Sequence, residues 1–424
     1  MIVLFLLLLS FGWGITLEEA KELALKNHIE SVKSELELRR LEERIKELNG
    51  SLFPTVSLSA SYTRWDKNYI SSFVPENKYY LNLNLNQPLF DKSLWSALRL
   101  AERSEELQRA VIEDVRATLL AEVEKLFWAV LLKREVLSEK RESLSYWENY
   151  FALVKEKYER GIVPRYEFLR ARAQLRQAKA DLIRAESDLK ISLNSLKSFL
   201  GLEGQLKLEG KFAPVEFRIE EPFKLLKEKN TTLQVFRETY RVKLANVELK
   251  RSDYFPRLNL FFNYSLENIK DFEAGQLKED YRHGYNFGLR LDFVLFEGGK
   301  RLKRVLQERI EAEKVSREID FTEKKLRNEL ESLLAQLRSS EEELKAREDT
   351  LMAAKETLSF ATQRYAEGVG SQVELLEARQ NYESARIAYL NAVYSYNSIV
   401  ADIKRMLGLE LTRSGEPSGK NRGS

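Results

Sequence analysis

Cysteine is absent from the 424 residues, and histidine occurs only twice, as His28 and His283. The absence of cysteine excludes disulfide bonds, thiolate metal sites, a catalytic thiol and the lipidated cysteine of a lipoprotein. The two histidines stand in unrelated sequence contexts, and a metal site or a general base would need several partners around either of them. Phosphate-binding glycine loops, nucleophile elbows and metal-ligand spacings are also missing. We therefore expect no metal, no cofactor and no enzymatic activity.

A large net charge is missing as well. The 69 Lys and Arg residues nearly balance the 66 Asp and Glu residues, which leaves a net charge of +3. Charges of both signs are interleaved, and neither a basic nor an acidic tail stands out. This balance argues against a nucleic-acid partner.

Long apolar runs are missing from all but the N-terminus, which begins MIVLFLLLLSFGWG. That run is too short to span a bilayer and ends in the small residues Gly12 and Gly14, so it predicts a secretory signal peptide over residues 1–14. This run contains no Lys or Arg, which a signal peptide usually has at its start, so a short membrane anchor is the alternative interpretation. Any membrane-spanning structure in the mature chain must then be β-structure.

What the chain does contain is two copies of one unit. LFPTVSLSASYT at 52–63 returns as YFPRLNLFFNYS at 254–265, and YERGIVPRYEFLRARAQL at 158–175 returns as YAEGVGSQVELLEARQNY at 365–382. The predicted organisation is a first repeat at 15–202, a linker at 203–221, a second repeat at 222–409 and a flexible tail at 410–424.

Both copies carry a sustained heptad of apolar residues. The heptad positions recur 207 residues later, so that Val123 corresponds to Leu330 and Tyr158 corresponds to Tyr365. Such heptads predict long helices that wind on one another in a left-handed supercoil. Long helices are expected at about 93–160 and 299–367, and shorter ones at about 17–48, 165–200, 222–254 and 372–407.

Four further segments alternate between apolar and polar residues, as β-strands do. In the segment 79–90 the two faces carry Leu81, Leu83 and Leu85 on one side, and Asn82, Asn84 and Asn86 on the other. Each segment spans about ten residues, the length of a tilted membrane strand. We predict that the leucines face lipid and the asparagines face a water-filled lumen, with a soluble sheet that has one wet face as the alternative.

Four strands are too few to close a membrane barrel, which needs about eight. Because open sheet edges are untenable in lipid, several chains must share one barrel, and a dimer or a trimer satisfies this requirement. The polar segments at 64–78 and 267–284 are expected to be long loops at the outer surface.

With these motifs in this order, the chain resembles the TolC family of outer-membrane efflux proteins. The features that carry the resemblance are the duplicated FP pair at 53–54 and 255–256, the PLFD and LFEGG exits at 88–91 and 295–299, and the paired Y-x-x-G tips. The resemblance covers nearly the whole mature chain. It implies a mostly α-helical fold with membrane β-structure: a homotrimer in which four strands per chain form a twelve-stranded barrel in the outer membrane, continued by a coiled-coil tunnel through the periplasm.

The same resemblance implies a passive exit duct for small molecules or secreted proteins. A periplasmic adaptor, also called a membrane fusion protein, and an inner-membrane pump would be its partners. The adaptor would dock at the tips of the helical hairpins, for which Gly161, Ile162, Gly368 and Val369 are the candidates. A role in forming the turns would also explain these four residues.

A periplasmic gate is implied at the same tips. Acidic residues one turn past the second tip project into the aperture in the family, and Glu374 and Glu377 hold those positions here. Their spacing of three places both on one helical face, and threefold repetition would give two anionic rings that favour cations. A solvated helix surface is the alternative.

A link between a tyrosine and an acid holds the closed state in the family, and Tyr365 and Glu167 match that pair. Gly370 stands where a family member places a linking arginine, so we expect a weaker lock or one that uses Arg165. Tyr365 also continues the heptad, which makes core packing an equal alternative.

One function from another class explains the heptads and the signal peptide: a periplasmic coiled-coil structural or adaptor protein. It does not explain two matched pairs of strands.

Overall fold

The computed structural model describes residues 14–66, 68, 75–273 and 276–409, which form eight α-helices and four β-strands. The helices are α1 (Leu17–Asn27), α2 (Ile29–Gly50), α3 (Lys92–Glu159), α4 (Arg165–Leu200), α5 (Pro222–Lys229), α6 (Thr231–Arg251), α7 (Lys300–Ala366) and α8 (Gln372–Met406). The strands are β1 (Thr55–Arg64), β2 (Asn77–Asp91), β3 (Arg257–Glu273) and β4 (Gln276–Asp292). The predicted signal peptide, apart from Gly14, and the predicted tail at 410–424 lie outside the described residues.

Helices α3 and α7 are the long helices that the heptads predict. They contain 68 and 67 residues, and each begins and ends within one residue of its predicted bounds. At about 1.5 Å per residue, each is about 100 Å long. No helix in the described part of the chain is long and apolar enough to cross a membrane.

The chain divides into two compact units, and the duplication is visible in the core of the first, which comprises Met1–Ser34, Val111–Gln234 and Phe321–Ser424. One apolar cluster joins α1, α3 and α4, and a second joins α5, α7 and α8. Equivalent members 207 positions apart are Val123 and Leu330, Val130 and Leu337, Leu196 and Ile403, and Leu200 and Leu407. Full burial of each such side chain contributes about 2 kcal/mol, so the two copies stabilise the unit in the same way.

The sequence predicts one continuous short helix before each strand pair, and this prediction is wrong at His28 and at Asn230. Both residues have an extended backbone, with ψ of 134° and 120°. The Asn27 side-chain amide donates to the Leu200 carbonyl at 3.2 Å, and that of Asn230 donates to the Met406 carbonyl at 2.8 Å. At each break, a side-chain hydrogen bond therefore joins a short helix to the C-terminal end of α4 or α8, the return helices that follow the hairpin tips. Neither glycine nor proline marks these breaks in the sequence.

The second unit, Glu35–Ala110 and Val235–Asp320, contains the sheet. Its antiparallel strands follow the order β1-β2-β3-β4 and contain 10, 15, 17 and 17 residues, so three are longer than predicted. The predicted loop at 267–284 is wrong, because β3 and β4 stay paired as far as Glu273 and Gln276. Charged residues interrupt the apolar alternation there, but the backbone ladder does not depend on them and continues.

The two faces of the sheet are in register across the strands. Leu81 pairs with Ala60 and Leu266, Leu83 with Leu58 and Tyr264, and Leu85 with Val56 and Phe262. On the opposite face, Asn82, Asn84 and Asn86 pair with Ser59, Ser57 and Thr55. The alternation that the sequence predicts is therefore carried by neighbouring strands as well.

The two faces of the sheet differ in polarity. Leu58 and Leu289, on the apolar face, are 66% and 64% exposed. On the polar face the Asn84 amide donates to Asn263 at 2.6 Å, and Asn263 donates to Asn286 at 2.8 Å. The sheet thus has one open apolar face and one face crossed by a chain of amides.

Candidate functional site at the hairpin tips

The first hairpin tip is the turn between α3 and α4. Gly161 has a left-handed φ of 71°, a conformation in which glycine is the least strained residue. The Ile162 N–H donates to the Lys157 carbonyl at 2.8 Å, and the Gly161 N–H donates to the Tyr158 carbonyl at 2.9 Å. This pair of bonds is a Schellman motif, which satisfies the last carbonyls of α3 and ends the helix sharply.

The second tip, between α7 and α8, repeats the motif. Gly368 has a φ of 77°, the Val369 N–H donates to the Arg364 carbonyl at 3.0 Å, and the Gly368 N–H donates to the Tyr365 carbonyl at 3.2 Å. Ile162 and Val369 follow their glycines and are 64% and 68% exposed. The glycines shape the turns, and the next residue presents an apolar side chain to solvent at each tip.

One apolar cluster lies behind both tips. Helix α3 supplies Trp147 and Tyr150, and α4, α7 and α8 supply small residues, among them Ala171, Ala361 and Ala378. Alanine at these positions lets the four helices pack closely. The two hairpins therefore share one core beside their tips.

Tyr365 packs against this cluster near Tyr150, whose hydroxyl accepts a hydrogen bond from Gln372. Burial raises the pKa of Tyr365, and the charge of Glu167 raises it further. Glu167 itself accepts a hydrogen bond from the Tyr166 hydroxyl at 3.3 Å. The charge of Glu167 thus reaches Tyr365, although Glu167 forms no hydrogen bond with it among the described side chains, and the cluster also contains Tyr150, which the sequence did not point to.

The two predicted gate acids are exposed and lie one turn apart at the start of α8. The Ser371 hydroxyl caps the helix by accepting from the Glu374 N–H at 3.1 Å. The Glu374 carboxylate lies 3.3 Å from Nε of Arg364. Among the side chains that the structure describes, Glu377 forms no ion pair. Both carboxylates are exposed, and their role in gating stays a prediction.

A groove of about 500 Å³ lies between α3, α4 and α8 beside the second tip. Trp147 supplies an apolar wall, and Arg170, Gln174 and Glu377 supply charged and amide groups. Such mixed lining suits a protein segment with both apolar and polar side chains. No group of residues in the described ranges could hold a metal ion.

A buried charge cluster lies further along the same helices and is absent from the predictions made from the sequence. The fully buried Glu139 carboxylate of α3 lies 2.7 Å from Nη1 of Arg386 and 3.7 Å from Nη2 of Arg379, both on α8. Nε of Arg379 lies 2.9 Å from the carboxylate of Glu383. Burial raises the pKa of Glu139, against the opposing effect of the two arginines. In the sequence these residues are indistinguishable from the many surface charges around them.

Comparison with known proteins gives consistent matches. The family model "Outer membrane efflux protein" matches residues 21–202 and 223–409. The alkaline protease secretion protein AprF of Pseudomonas aeruginosa is 26% identical over 350 residues, covering 78% of this chain and 70% of AprF. The outer membrane protein TolC of Escherichia coli is 23% identical over 382 residues, covering 86% of this chain and 76% of TolC.

Among solved structures, the CmeC outer membrane channel of Campylobacter jejuni has the same fold. Its TM-score is 0.76 at 19% identity, and the match covers 92% of this chain and 85% of CmeC. The predicted fold class, mostly helical with four antiparallel strands per chain, is confirmed.

The matched ranges contain the four strands, both long helices and both tips. Proteins of this family are transport channels rather than enzymes; they form trimers and work with adaptor proteins and inner-membrane pumps. The matches do not favour a periplasmic scaffold, because they extend over the strands as well as the helices. This chain belongs to the outer membrane efflux protein family and is an exit duct of the outer membrane.

Proposed function

We propose that three copies of this chain close one barrel in the outer membrane, and that the hairpin tips form both the periplasmic gate and the docking surface for an adaptor. The duct is passive, and an inner-membrane pump reached through the adaptor supplies the energy and the cargo. The observation that carries this proposal is the pair of matched tips, each ending in an exposed apolar residue, with two exposed acids directly beside the second.

The sheet supports the barrel. Its order leaves β1 and β4 as the two edges. Unpaired edges are costly in lipid, and pairing β4 of one chain with β1 of the next removes them. Leu81, Leu83 and Leu85 would then face lipid with the rest of the apolar face, while Asn82, Asn84 and Asn86 would line the lumen.

The acids support the gate. Threefold repetition of Glu374 and Glu377 would place two rings of carboxylates around one aperture, which attracts cations and excludes anions. Tyr365 packs against the core that both hairpins share and is influenced by the charge of Glu167, so it would join the second hairpin to the first. Loss of that contact would let the hairpins separate.

The exposed residues support adaptor docking. Ile162 and Val369 offer apolar contacts at the tips, and the groove beside the second tip offers Arg170 and Glu377 for polar contacts. An adaptor that presents a helical hairpin with an apolar end and polar sides fits this surface. Gly161 and Gly368 hold the two apolar side chains in place.

Planar-bilayer recording of the full-length protein tests the gate. The wild type is expected to show a small, cation-selective conductance, and the double variant Glu374→Gln/Glu377→Gln should lose most of that selectivity. Glu329→Gln/Glu331→Gln removes two exposed acids from α7, about 35 positions before the second tip, and serves as the control. Equal selectivity in the wild type and the tip variant would overturn the gate.

Docking is tested by single cysteines, which this cysteine-free chain accommodates without background. A crosslinker on Ile162→Cys or Val369→Cys should capture a co-expressed periplasmic adaptor. The same crosslinker on Leu36→Cys, at an exposed residue of α2, should not. Equal capture from all three positions would overturn the docking surface.

A further inference from the structure

We propose, resting on the gate proposed above, that Arg364 is a further selectivity residue: it pairs with Glu374 within each chain, so that Glu377 supplies the unbalanced charge of the closed aperture. Arg364 lies in the last turn of α7 and Glu374 in the first turn of α8. Nε of the arginine lies 3.3 Å from the carboxylate, and the two side chains are 55% and 45% exposed. The pair spans the second tip.

The path of the tip creates this pair. The Arg364 carbonyl accepts from the N–H groups of Val369 and Gly370, at 3.0 and 2.9 Å, so the chain folds back onto the end of α7. A Cβ at Gly370 would lie 3.0 Å from the carbonyl carbon and the Cβ of Arg364. Glycine therefore favours this close approach, because it has no Cβ to be crowded. The Ser371 cap then starts α8 with Glu374 facing back toward the arginine.

The first tip provides an internal comparison, because residues 207 positions earlier hold the equivalent places. Lys157 corresponds to Arg364 and Glu167 to Glu374, so the first tip has the charges for the same pair. Their partners differ: Nζ of Lys157 lies 5.4 Å from the centroid of the Tyr365 ring, and Glu167 accepts from Tyr166.

The residue equivalent to Gly370 in the first tip is Val163, whose Cβ would be crowded on the path that Gly370 takes. The ion pair across the tip is thus specific to the hairpin that carries the gate acids.

The Arg364–Glu374 pair changes the electrostatic field that acts on a permeating ion. An arginine beside a carboxylate turns a single charge into a local dipole, whose field falls off faster with distance. Per chain, the sum over Arg364, Glu374 and Glu377 is then one negative charge rather than two. At physiological salt a charge acts over about 8 Å, so this difference matters only inside a narrow aperture.

Reversal potentials of the reconstituted protein in a KCl gradient test the inference, with Mg²⁺ block as a second readout. Arg364→Gln unmasks Glu374 and is expected to raise the permeability ratio of K⁺ to Cl⁻ about fourfold, because one unit charge at about 8 Å in water raises K⁺ occupancy and lowers Cl⁻ occupancy by about twofold each. Mg²⁺ block should strengthen as well. Arg364→Gln/Glu374→Gln should return both values to those of the wild type.

Arg347→Gln is the matched control, because Arg347 lies on α7 about 20 positions before the second tip and pairs with the exposed Glu343 at 3.3 Å. It should leave both readouts unchanged. If Arg364→Gln behaves like the wild type while the variant that lacks both gate acids loses selectivity, Arg364 has no such role and the gate stands. If the variant that lacks both acids also behaves like the wild type, the gate itself is wrong. Recovery of each variant as the same oligomer on a native gel confirms that it is folded.

Discussion

Nη1 of Arg386 lies 2.7 Å from the carboxylate of Glu139, a side chain that solvent does not reach. Arg379, two helical turns earlier on α8, approaches the same carboxylate at 3.7 Å. One buried acid of α3 is therefore held between two arginines of α8. Because a buried charge is strongly destabilising once a partner is lost, this contact makes the packing of the two helices sensitive to single substitutions.

Arg386→Gln is expected to destabilise the protein by about 3 kcal/mol, since it leaves a buried carboxylate with only its more distant partner. Thermal unfolding in detergent measures the change. Arg347→Gln removes an exposed pair with Glu343 within α7 and should cost less than about 0.5 kcal/mol. Similar melting temperatures for the two variants would show that the buried pair contributes no more to stability than the exposed pair.

Glu139 also predicts a pH dependence. Burial raises its pKa in the folded protein above the 4.5 of an unperturbed glutamate. Between 4.5 and the raised pKa, the folded state binds more protons than the unfolded state, so the contribution of Glu139 to stability falls as pH rises through that window. Melting temperatures measured from about pH 4 upward should show the wild type losing stability relative to Glu139→Gln. Parallel profiles for the two proteins would contradict this.

Tyr150→Phe is expected to loosen the tips. It removes the hydroxyl that accepts a hydrogen bond from Gln372 at the start of α8, at a cost of about 1 kcal/mol. Faster hydrogen exchange at the start of α8 and a larger closed-state conductance should follow. Tyr158→Phe is the control, because Tyr158 stacks on Phe168 through its ring, which the substitution keeps. Unchanged exchange in Tyr150→Phe would show that this hydrogen bond does not hold the start of α8.

The two faces of β2 should respond oppositely to charge. Leu83→Lys places a cation on the proposed lipid face and should cost about 2–4 kcal/mol near the middle of the bilayer, whereas Asn82→Lys should be tolerated in the lumen. The amount of assembled protein recovered from the outer membrane measures the difference. Equal recovery of the two variants would contradict the assignment of the faces.

The sequence predicted the long helices well because their heptads and their glycine-ended tips are local signals. It did not predict the breaks at His28 and Asn230, since these depend on hydrogen bonds to return helices more than 170 residues away. The outer part of the hairpin at 267–284 was missed for a related reason: charged residues do not stop a ladder formed by the backbone.

The same difference between local sequence signals and long-range contacts is found at the tips. Repetition and family resemblance located Tyr365, Glu167 and Glu374 from the sequence. Tyr150 and Arg364, which lie beside Tyr365 and Glu374, were missed because the fold of the tip and the packing of α3 against α7 decide which side chains meet. The sequence repeat nevertheless shows that Arg364 and Lys157 hold equivalent positions, 207 residues apart, and this equivalence could have identified both as candidate residues of the tips.

Native mass spectrometry of the protein extracted from the outer membrane in detergent tests the central claim most directly, since four strands per chain form a closed duct only when several chains combine. The account predicts one dominant species that contains three copies of the mature chain. A dominant species of one or two copies would contradict it.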